Sequence, residues 1–261
     1  MRWSEILDGA PVPAAPIAAP APRAMPERWT REHLRWNGGR CVPAPEWTDC
    51  PSCRGGWLPT PRGPWARCRC QELQDLALRY TQAEIPALYR GVTPGATETG
   101  GAISPEFLRK VVGLGRGITA QARGLTLTGN PGTGKTHTAA LVAHEAILQG
   151  RDVRWVSWHR AAEEARLWPS QRTRAWPPPE WISADLLVLD EVGAQAQLSV
   201  REAGELLAVI GARYDHGRRA MMITTNVVQE QLQTALGATL HSRIAEMTYI
   251  VPLVGDDRRR R

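Results

Sequence analysis

The sequence lacks two features that would place the chain in or across a membrane. None of its apolar runs approaches the roughly 20 residues that a membrane-spanning helix needs. Its N-terminus has no continuous apolar stretch of the kind that a secretory signal peptide carries. We therefore expect a cytoplasmic protein without a membrane partner.

Lysine is almost absent, although the chain is basic. The formal net charge is +6, and arginine carries nearly all of the positive charge, since the only lysines are Lys110 and Lys135. Arginine presents a wide planar fork, whereas lysine is a compact point charge that suits a phosphate cradle. The basic balance also suggests nucleic acid as a partner, although such charge is often only a solvated surface.

One of the two lysines lies in a glycine-rich loop with the pattern G-x-x-x-x-G-K-[ST]. The segment 125–128 before the loop alternates as a short buried strand does, and the segment 136–149 after it has helical periodicity. Strand, loop and helix in this order predict a phosphate-binding site. Its residues are Gly129, Asn130, Pro131, Gly132, Thr133, Gly134, Lys135 and Thr136, followed by His137.

The residue types in this loop fit the chemistry of a nucleoside triphosphate. Glycines allow the backbone to approach a polyphosphate, and the loop N–H groups and the helix N-terminus attract anionic oxygen atoms. Lys135 would place its ammonium group between the β- and γ-phosphates, and the Thr136 hydroxyl would bind Mg²⁺. The alternative, a chance glycine-rich turn, leaves the flanking strand and helix unexplained.

A second element supplies acidic groups. Residues 186–189 form a continuous apolar run, typical of a strand buried on both faces of a parallel sheet, and Asp190 and Glu191 follow it. Asp190 would hold Mg²⁺, and Glu191 would orient and deprotonate the attacking water. Asn226 ends another predicted strand and would contact the γ-phosphate or that water. The acidic pair Asp190–Glu191 favours hydrolysis of the phosphate over its transfer to a small acceptor.

Four closely spaced cysteines predict a small metal-binding module. Cys50 and Cys53 form one pair and Cys68 and Cys70 a second, with an insert of hairpin length between them. Two such pairs make a tetrahedral four-thiolate site, for which Zn²⁺ is the natural occupant. The alternative is scattered cysteines in a loop, and Cys41 is a spare thiol or a substitute ligand. Because the module has little core, metal binding would supply its folding energy.

Arginine and tryptophan are mixed in a proline-rich insert over residues 159–182. This mixture suits single-stranded nucleic acid, because the cations follow the phosphates and the rings stack on bases. The alternative is a surface loop whose tryptophans pack onto the domain, and the sequence favours neither. The residues concerned are Arg160, Arg166, Arg172 and Arg174, with Trp168, Trp176 and Trp181.

The ordered motifs resemble those of the AAA+ ATPases, in particular the DnaC/DnaI helicase loaders and the related IstB transposition ATPases. The motifs that resemble the family lie at residues 129–137, 187–193 and 224–226, and the resemblance as a whole covers residues 82–255. It implies an α/β fold, namely an AAA+ P-loop NTPase three-layer sandwich with a parallel sheet. It also implies that the C-terminal lid is lacking and that a small zinc-binding module precedes the core.

The resemblance further implies roles for single residues. Arg243 would be the arginine finger, which completes the site of a neighbouring subunit and therefore requires self-association through the ATPase core. The insert at 159–182 would contribute to binding single-stranded DNA. The Walker A, Walker B and sensor 1 residues would be Lys135 and Thr136, Asp190 and Glu191, and Asn226.

The predicted organisation has five segments. They are a flexible Pro/Ala-rich arm (1–45), the zinc-binding module (46–72), a linker helix with the segment leading into the core (73–100), the AAA+ core (101–255) and a basic tail (256–261). The implied function is ATP-dependent loading of a replicative hexameric DNA helicase, which docks on the N-terminal region. Hydrolysis would be slow and stimulated by partner or DNA. The alternative is an IstB-like transposition ATPase that acts on duplex DNA.

Overall fold

The computed structural model describes residues 26–50, 52–53, 55–60, 64–93, 105–117, 122–171, 175–193, 198–217 and 220–255. The strands are β1 (Leu34–Asn37), β2 (Arg40–Pro43), β3 (Trp57–Leu58), β4 (Ala66–Arg67), β5 (Gly124–Thr128), β6 (Val153–Ser157), β7 (Leu186–Asp190), β8 (Met221–Thr224) and β9 (Thr248–Pro252). The α-helices are α1 (Cys70–Ala83), α2 (Pro105–Arg116), α3 (Lys135–Leu148), α4 (Trp158–Gln171), α5 (Pro179–Ser183), α6 (Val200–Asp215), α7 (Leu232–Leu236) and α8 (Ala238–Met247).

A parallel sheet of five strands forms the centre of the C-terminal part, in the order β6-β7-β8-β5-β9. Every residue of β7 is buried, as its continuous apolar sequence predicts. One apolar layer joins the sheet to α3 through residues such as Leu127 and Ile147, and the other joins it to α6 and α8 through Leu206 and Ile244. The predicted three-layer α/β sandwich is therefore confirmed.

Two antiparallel hairpins precede the sheet. β1 pairs with β2, and β3 pairs with β4. The β1–β2 hairpin packs on α1: the Cys41 N–H donates to Thr81 Oγ1 at 2.9 Å, and Trp29 Nε1 donates to the Arg69 carbonyl at 2.9 Å. Residues 26–45 thus differ from the flexible arm predicted for 1–45, because Trp29, Cys41 and Ala44 bury their side chains there. Residues 1–25 lie outside the described residues.

Helix α1 connects the hairpins to the sheet domain. Its buried face includes Leu73, Leu76 and Tyr80, and these belong to the same apolar cluster as Ile147 of α3. The ring of Tyr80 lies 5.6 Å from that of His144 on α3. The segment predicted as a linker is therefore packed against the helix that begins at the phosphate loop.

The described residues contain neither a membrane-spanning helix nor a helix after β9. No helix among them is both long and apolar enough to cross a membrane. No helix follows β9 before residue 255, where the described part of the chain ends. The tail at 256–261 lies outside that part.

Candidate functional site

The glycine-rich loop runs from the end of β5 to the start of α3. Gly129, Gly132 and Gly134 have φ angles of 129°, 80° and 93°, a region that side-chain-bearing residues rarely adopt. A Cβ atom on Gly129 would lie 2.3 Å from the carbonyl oxygen of Leu253, the residue that follows β9. The loop backbone therefore has the open, glycine-dependent shape that can approach a polyphosphate.

Lys135 is the first residue of α3, and its side chain is buried within the loop. Its Nζ donates hydrogen bonds to the carbonyl oxygens of Gly129 at 2.8 Å and Asn130 at 2.7 Å. The Thr133 hydroxyl donates to the same Asn130 carbonyl at 3.0 Å. These bonds fix the ammonium group over the loop, where phosphate oxygens would find both the charge and the N-terminus of α3.

The two predicted Mg²⁺ ligands lie side by side. The Thr136 hydroxyl donates to Asp190 Oδ1 at 3.1 Å, although the residues are far apart in sequence. Burial raises the pKa of Asp190, while hydrogen bonds from Thr224 and Thr136 oppose the rise. A hydroxyl and a buried carboxylate are the oxygen donors that Mg²⁺ prefers beside phosphates. The donor set fits that ion.

Glu191 follows Asp190 in an unusual backbone conformation. Its φ angle is 62°, in the left-handed region that residues with a side chain seldom adopt. Its side chain is exposed, and its N–H donates to Thr224 Oγ1 at 2.9 Å. The exposed Glu191 thus directly follows the buried Asp190 at the end of β7.

Asn226 lies at the same edge of the sheet, two residues beyond β8, and is half-buried. The N–H of the preceding residue, Thr225, donates to the Leu127 carbonyl of β5 at 2.9 Å. The carboxyl ends of β5, β7 and β8 are adjacent because these strands are neighbours in a parallel sheet. In such sheets this edge is where ligands bind.

Arg243 lies on α8 with its side chain exposed. Its guanidinium is 3.8 Å from Glu246 Oε2 and 4.8 Å from the centroid of the Tyr214 ring. The Tyr214 hydroxyl donates to Glu246 Oε1 at 2.8 Å. The described contacts of Arg243 are thus with side chains of α6 and α8, and none joins it to the phosphate loop of the same chain.

The insert between β6 and β7 contains α4 and α5. Arg160 is exposed and pairs with Glu164 at 3.1 Å, and Arg166 is exposed on the same helix. Trp176 and Trp181 pack edge to face, with 5.5 Å between ring centroids, against the apolar layer that includes α6. These two tryptophans therefore pack onto the domain, as in the alternative to stacking on bases. Arg172, Arg174 and the Trp168 side chain lie outside the described residues.

The four cysteines of the predicted metal site converge. Their Sγ atoms all lie within 4.8 Å of one another, with Cys50 and Cys68 3.8 Å apart and Cys53 and Cys70 3.5 Å apart. A tetrahedral zinc site with Zn–S bonds of about 2.3 Å has sulfur–sulfur distances of about 3.8 Å. The cluster therefore has the dimensions of a four-thiolate zinc site.

Backbone contacts of the β3–β4 hairpin hold these sulfurs. The Gly56 N–H donates to Cys53 Sγ at 3.3 Å, and its carbonyl accepts from the Cys68 N–H at 2.7 Å. Burial, followed by hydrogen bonding with Cys53, raises the pKa of Cys70, so a cation bound there would have to displace the proton of that thiol. Cys41 lies apart from the cluster in the apolar layer, where burial raises its pKa to about 11.

Sequence reasoning did not predict one residue of the site, Thr224. Its hydroxyl donates to Asp190 Oδ1 at 2.6 Å as well as accepting from the Glu191 N–H. Thr224 was noted only as part of the motif 224–226 and as a polar residue at the end of an apolar strand. Neither signal shows which strand lies beside β8, so neither gave Thr224 a role.

Comparison with known proteins gives a family for the chain. The family model of IstB-like ATP-binding proteins matches residues 109–261. The replicative helicase loader DnaC of Escherichia coli strain K12 is 27% identical over 119 residues, which cover 45% of this chain and 48% of that protein. The same values hold for DnaC of Shigella flexneri. The chain thus spans about half the length of the curated relatives it matches.

Solved structures show the same fold. The crystal structure of the DnaC helicase loader superposes with a TM-score of 0.58 and 20% identity, covering 65% of this chain and 100% of that one. The crystal structure of DnaI superposes with a TM-score of 0.53 and 19% identity, covering 66% of this chain and 93% of that one. The structure of DnaA from Aquifex aeolicus with bound AMPPCP superposes with a TM-score of 0.53 and 21% identity, covering 67% of this chain and 53% of that one.

The family match includes both chemical elements of the site, the phosphate loop and the acidic pair Asp190–Glu191. It also spans more than half of the chain. We conclude that this protein belongs to the IstB-like ATP-binding family and has the AAA+ P-loop NTPase fold.

Proposed function

We propose that the chain is an ATPase that loads a replicative hexameric DNA helicase onto single-stranded DNA. The observation that supports the ATPase most strongly is the 3.1 Å hydrogen bond from Thr136 to Asp190. It joins the phosphate loop to the acidic strand end, where a nucleotide with its metal would lie. The loader function is supported by the likeness to DnaC, and a cytoplasmic location accords with it.

The proposed reaction assigns a task to each side chain. Lys135 exchanges its bonds to loop carbonyls for bonds to the β- and γ-phosphates. Thr136 and Asp190 hold Mg²⁺, which when bound neutralises charge on the phosphates. Glu191 accepts the proton of the attacking water, and Asn226 orients that water or the γ-phosphate. Hydrolysis is slow in the isolated chain and is stimulated by partner or DNA.

Arg243 would act on the nucleotide of a neighbouring subunit. Its exposed guanidinium and its lack of a described contact with its own phosphate loop support this role. An arginine supplied from outside a site stabilises the charge of the transition state. The proposal therefore includes self-association through the ATPase core.

The cysteine cluster would hold Zn²⁺ as a structural ion. Four thiolates close the coordination shell and leave no position for a substrate. The metal would stabilise the N-terminal hairpins and α1, which we propose as the region that docks the helicase. Packing of α1 against α3 would join that region to the nucleotide site.

Single-stranded DNA would bind along the insert. Arg160 and Arg166 are exposed on α4, which suits contacts to phosphates, and Arg172 and Arg174 continue the same segment. Trp176 and Trp181 pack against the domain, so we do not expect them to stack on bases. We therefore propose that affinity comes mainly from the phosphates and falls steeply with salt.

The ATPase is tested by measuring binding of a fluorescent ATP analogue to the full chain and release of phosphate by it with single-stranded DNA present. Wild type should bind the analogue with Mg²⁺ and release phosphate, whereas Lys135→Ala should lose both. Lys110→Ala, at the other lysine, is the matched control because its side chain is exposed and pairs with Glu106, away from the phosphate loop in sequence. Equal phosphate release by wild type and Lys135→Ala would refute the proposed site.

A second candidate is an ATPase associated with transposition that acts on duplex DNA, which the IstB-like family model favours. The two are separated by gel filtration with purified replicative helicase from the same organism, with and without ATP. Co-elution with the helicase supports the loader. Binding to duplex DNA with ATP, without co-elution, supports the second candidate.

A further inference from the structure

Thr224 makes hydrogen bonds to three successive residues of the neighbouring strand end. It is the last residue of β8 and is only 1% exposed. Its Oγ1 donates to Asp190 Oδ1 at 2.6 Å and accepts from the Glu191 N–H at 2.9 Å. Its carbonyl oxygen accepts from the Val192 N–H at 2.9 Å.

We propose that Thr224 is the positioning residue of the nucleotide site: it orients the Asp190 carboxylate toward the metal and holds the backbone that carries Glu191. The proposal rests on the ATPase function proposed above. It assigns to Thr224 an effect on chemistry that acts entirely through the two acidic residues.

Asp190 is held by two hydroxyls. Its Oδ1 accepts from those of Thr224 and Thr136, and the bond from Thr224 is the shorter. A lone pair of the Thr136 hydroxyl would bind Mg²⁺, while its hydrogen remains available to Asp190. The shorter bond from Thr224, whose hydroxyl does not bind the metal, adds a second fixed donor to the same carboxylate oxygen. Short bonds from hydroxyls to carboxylates are strong and directional.

Glu191 has a backbone conformation that needs support. A residue with a side chain keeps a φ of 62° only when its surroundings hold it there. The bonds from the Glu191 and Val192 N–H groups to Thr224 span this residue on both sides. Glu191 itself is exposed, so its direction depends on this backbone rather than on packing of its side chain.

Both contacts need a hydroxyl at position 224. Its single hydrogen is donated to the Asp190 carboxylate, and one of its two lone pairs accepts from the Glu191 N–H. Valine has the same shape but neither function, while serine retains both. Partners that orient a metal ligand typically change metal affinity or activity by about 10- to 100-fold when removed.

The experiment compares Thr224→Val and Thr224→Ser with wild type in the full chain. The Mg²⁺ concentration for half-maximal binding of a fluorescent ATP analogue is measured together with kcat and KM. We expect Thr224→Val to need at least about tenfold more Mg²⁺ and to lose at least about tenfold in kcat. Its affinity for the analogue without Mg²⁺ should stay within about twofold of wild type, and Thr224→Ser should restore most of both losses.

Thr126→Val is the matched control, because Thr126 is also a fully buried threonine of the same sheet. Its hydroxyl is bonded to that of Thr248 at 2.7 Å and not to an acidic residue. Equal losses in Thr126→Val and Thr224→Val, or unchanged Mg²⁺ dependence and kcat in Thr224→Val, would overturn the proposal. If Thr224→Val does not fold, Thr224→Ala is measured against the same criteria. A wild type that binds nucleotide with Mg²⁺ but does not hydrolyse it would refute the ATPase, while the Mg²⁺ dependence would still decide the role of Thr224.

Discussion

Gly129 follows β5 at a point where its backbone lies close to the segment that follows β9. A Cβ atom there would lie 2.3 Å from the Leu253 carbonyl, and the φ of 129° disfavours any side chain. We expect Gly129→Ala to lower the free energy of unfolding by about 1–3 kcal/mol and to weaken nucleotide binding. Urea denaturation and titration with a fluorescent ATP analogue measure the two effects.

Gly204 provides the control for this substitution. It lies on the exposed face of α6, and a Cβ atom there would meet nothing within 4 Å. Gly204→Ala should therefore stabilise the helix by about 0.5–1 kcal/mol and leave nucleotide binding unchanged. Unchanged stability and binding in Gly129→Ala would show that β9 can move away from the loop.

His144 makes stability depend on pH. Its Nε2 lies 2.9 Å from the Tyr89 carbonyl oxygen, and burial, aided by Arg31, lowers its pKa from 6.5 to about 4. The unfolded chain thus takes up a proton between these values, so the contribution of His144 to stability is complete above pH 6.5 and declines as the pH falls towards 4. Between pH 7 and 5 wild type should lose about 1–2 kcal/mol more than His144→Gln. Urea denaturation at both pH values tests this, and equal losses would contradict the assignment.

At this scale the sequence predicted the residues that belong to a contiguous motif and not those that depend on strand neighbours. Lys135 and Thr136 follow from the pattern of one loop. The contact of Thr224 with Asp190 depends on β8 lying beside β7 in one register, in which Leu189 pairs with Ile223. The sequence of one strand does not show which strand will be its neighbour or in which register the two will pair.

The cysteine hairpin is the element whose stability we expect to depend on a ligand. Its two strands have only two residues each, and its sulfurs lie within 4.8 Å of one another. Protein purified without chelator should contain about one equivalent of zinc. Removal of the metal, or Cys68→Ser, should lower the thermal stability of the N-terminal part.

Cys41→Ala is the matched variant, because Cys41 is buried but is not one of the four clustered cysteines. It should keep the full equivalent of zinc while losing some stability from its packing. Elemental analysis and thermal denaturation of both variants give the comparison. Zinc content far below one equivalent in wild type would contradict the metal site.

Elements with strong internal periodicity were predictable, and elements stabilised by distant partners were not. The predicted helix after the loop, 136–149, agrees with α3 within a residue at each end. The β1–β2 hairpin was missed because its strands have four residues each and mostly exposed or half-buried positions. Its order comes from α1, which lies about 40 residues further along the chain.

On the scale of the whole molecule, the account requires that several copies act together. Phosphate release per subunit should rise with protein concentration in wild type. Arg243→Ala should bind nucleotide normally but lack that rise, because its neighbour's site would miss a cation. Arg116→Ala removes an exposed arginine, paired with Glu145, on another part of the surface and is the control. A rise equal to wild type in Arg243→Ala would refute the proposed finger.

The most direct test of the central claim is helicase loading itself. Purified replicative helicase and circular single-stranded DNA are mixed with the full chain and ATP, and the helicase that stays with the circle is measured after gel filtration. The account predicts retention with wild type and ATP, and little retention without ATP or with Lys135→Ala. Retention that is the same with and without the chain would contradict it.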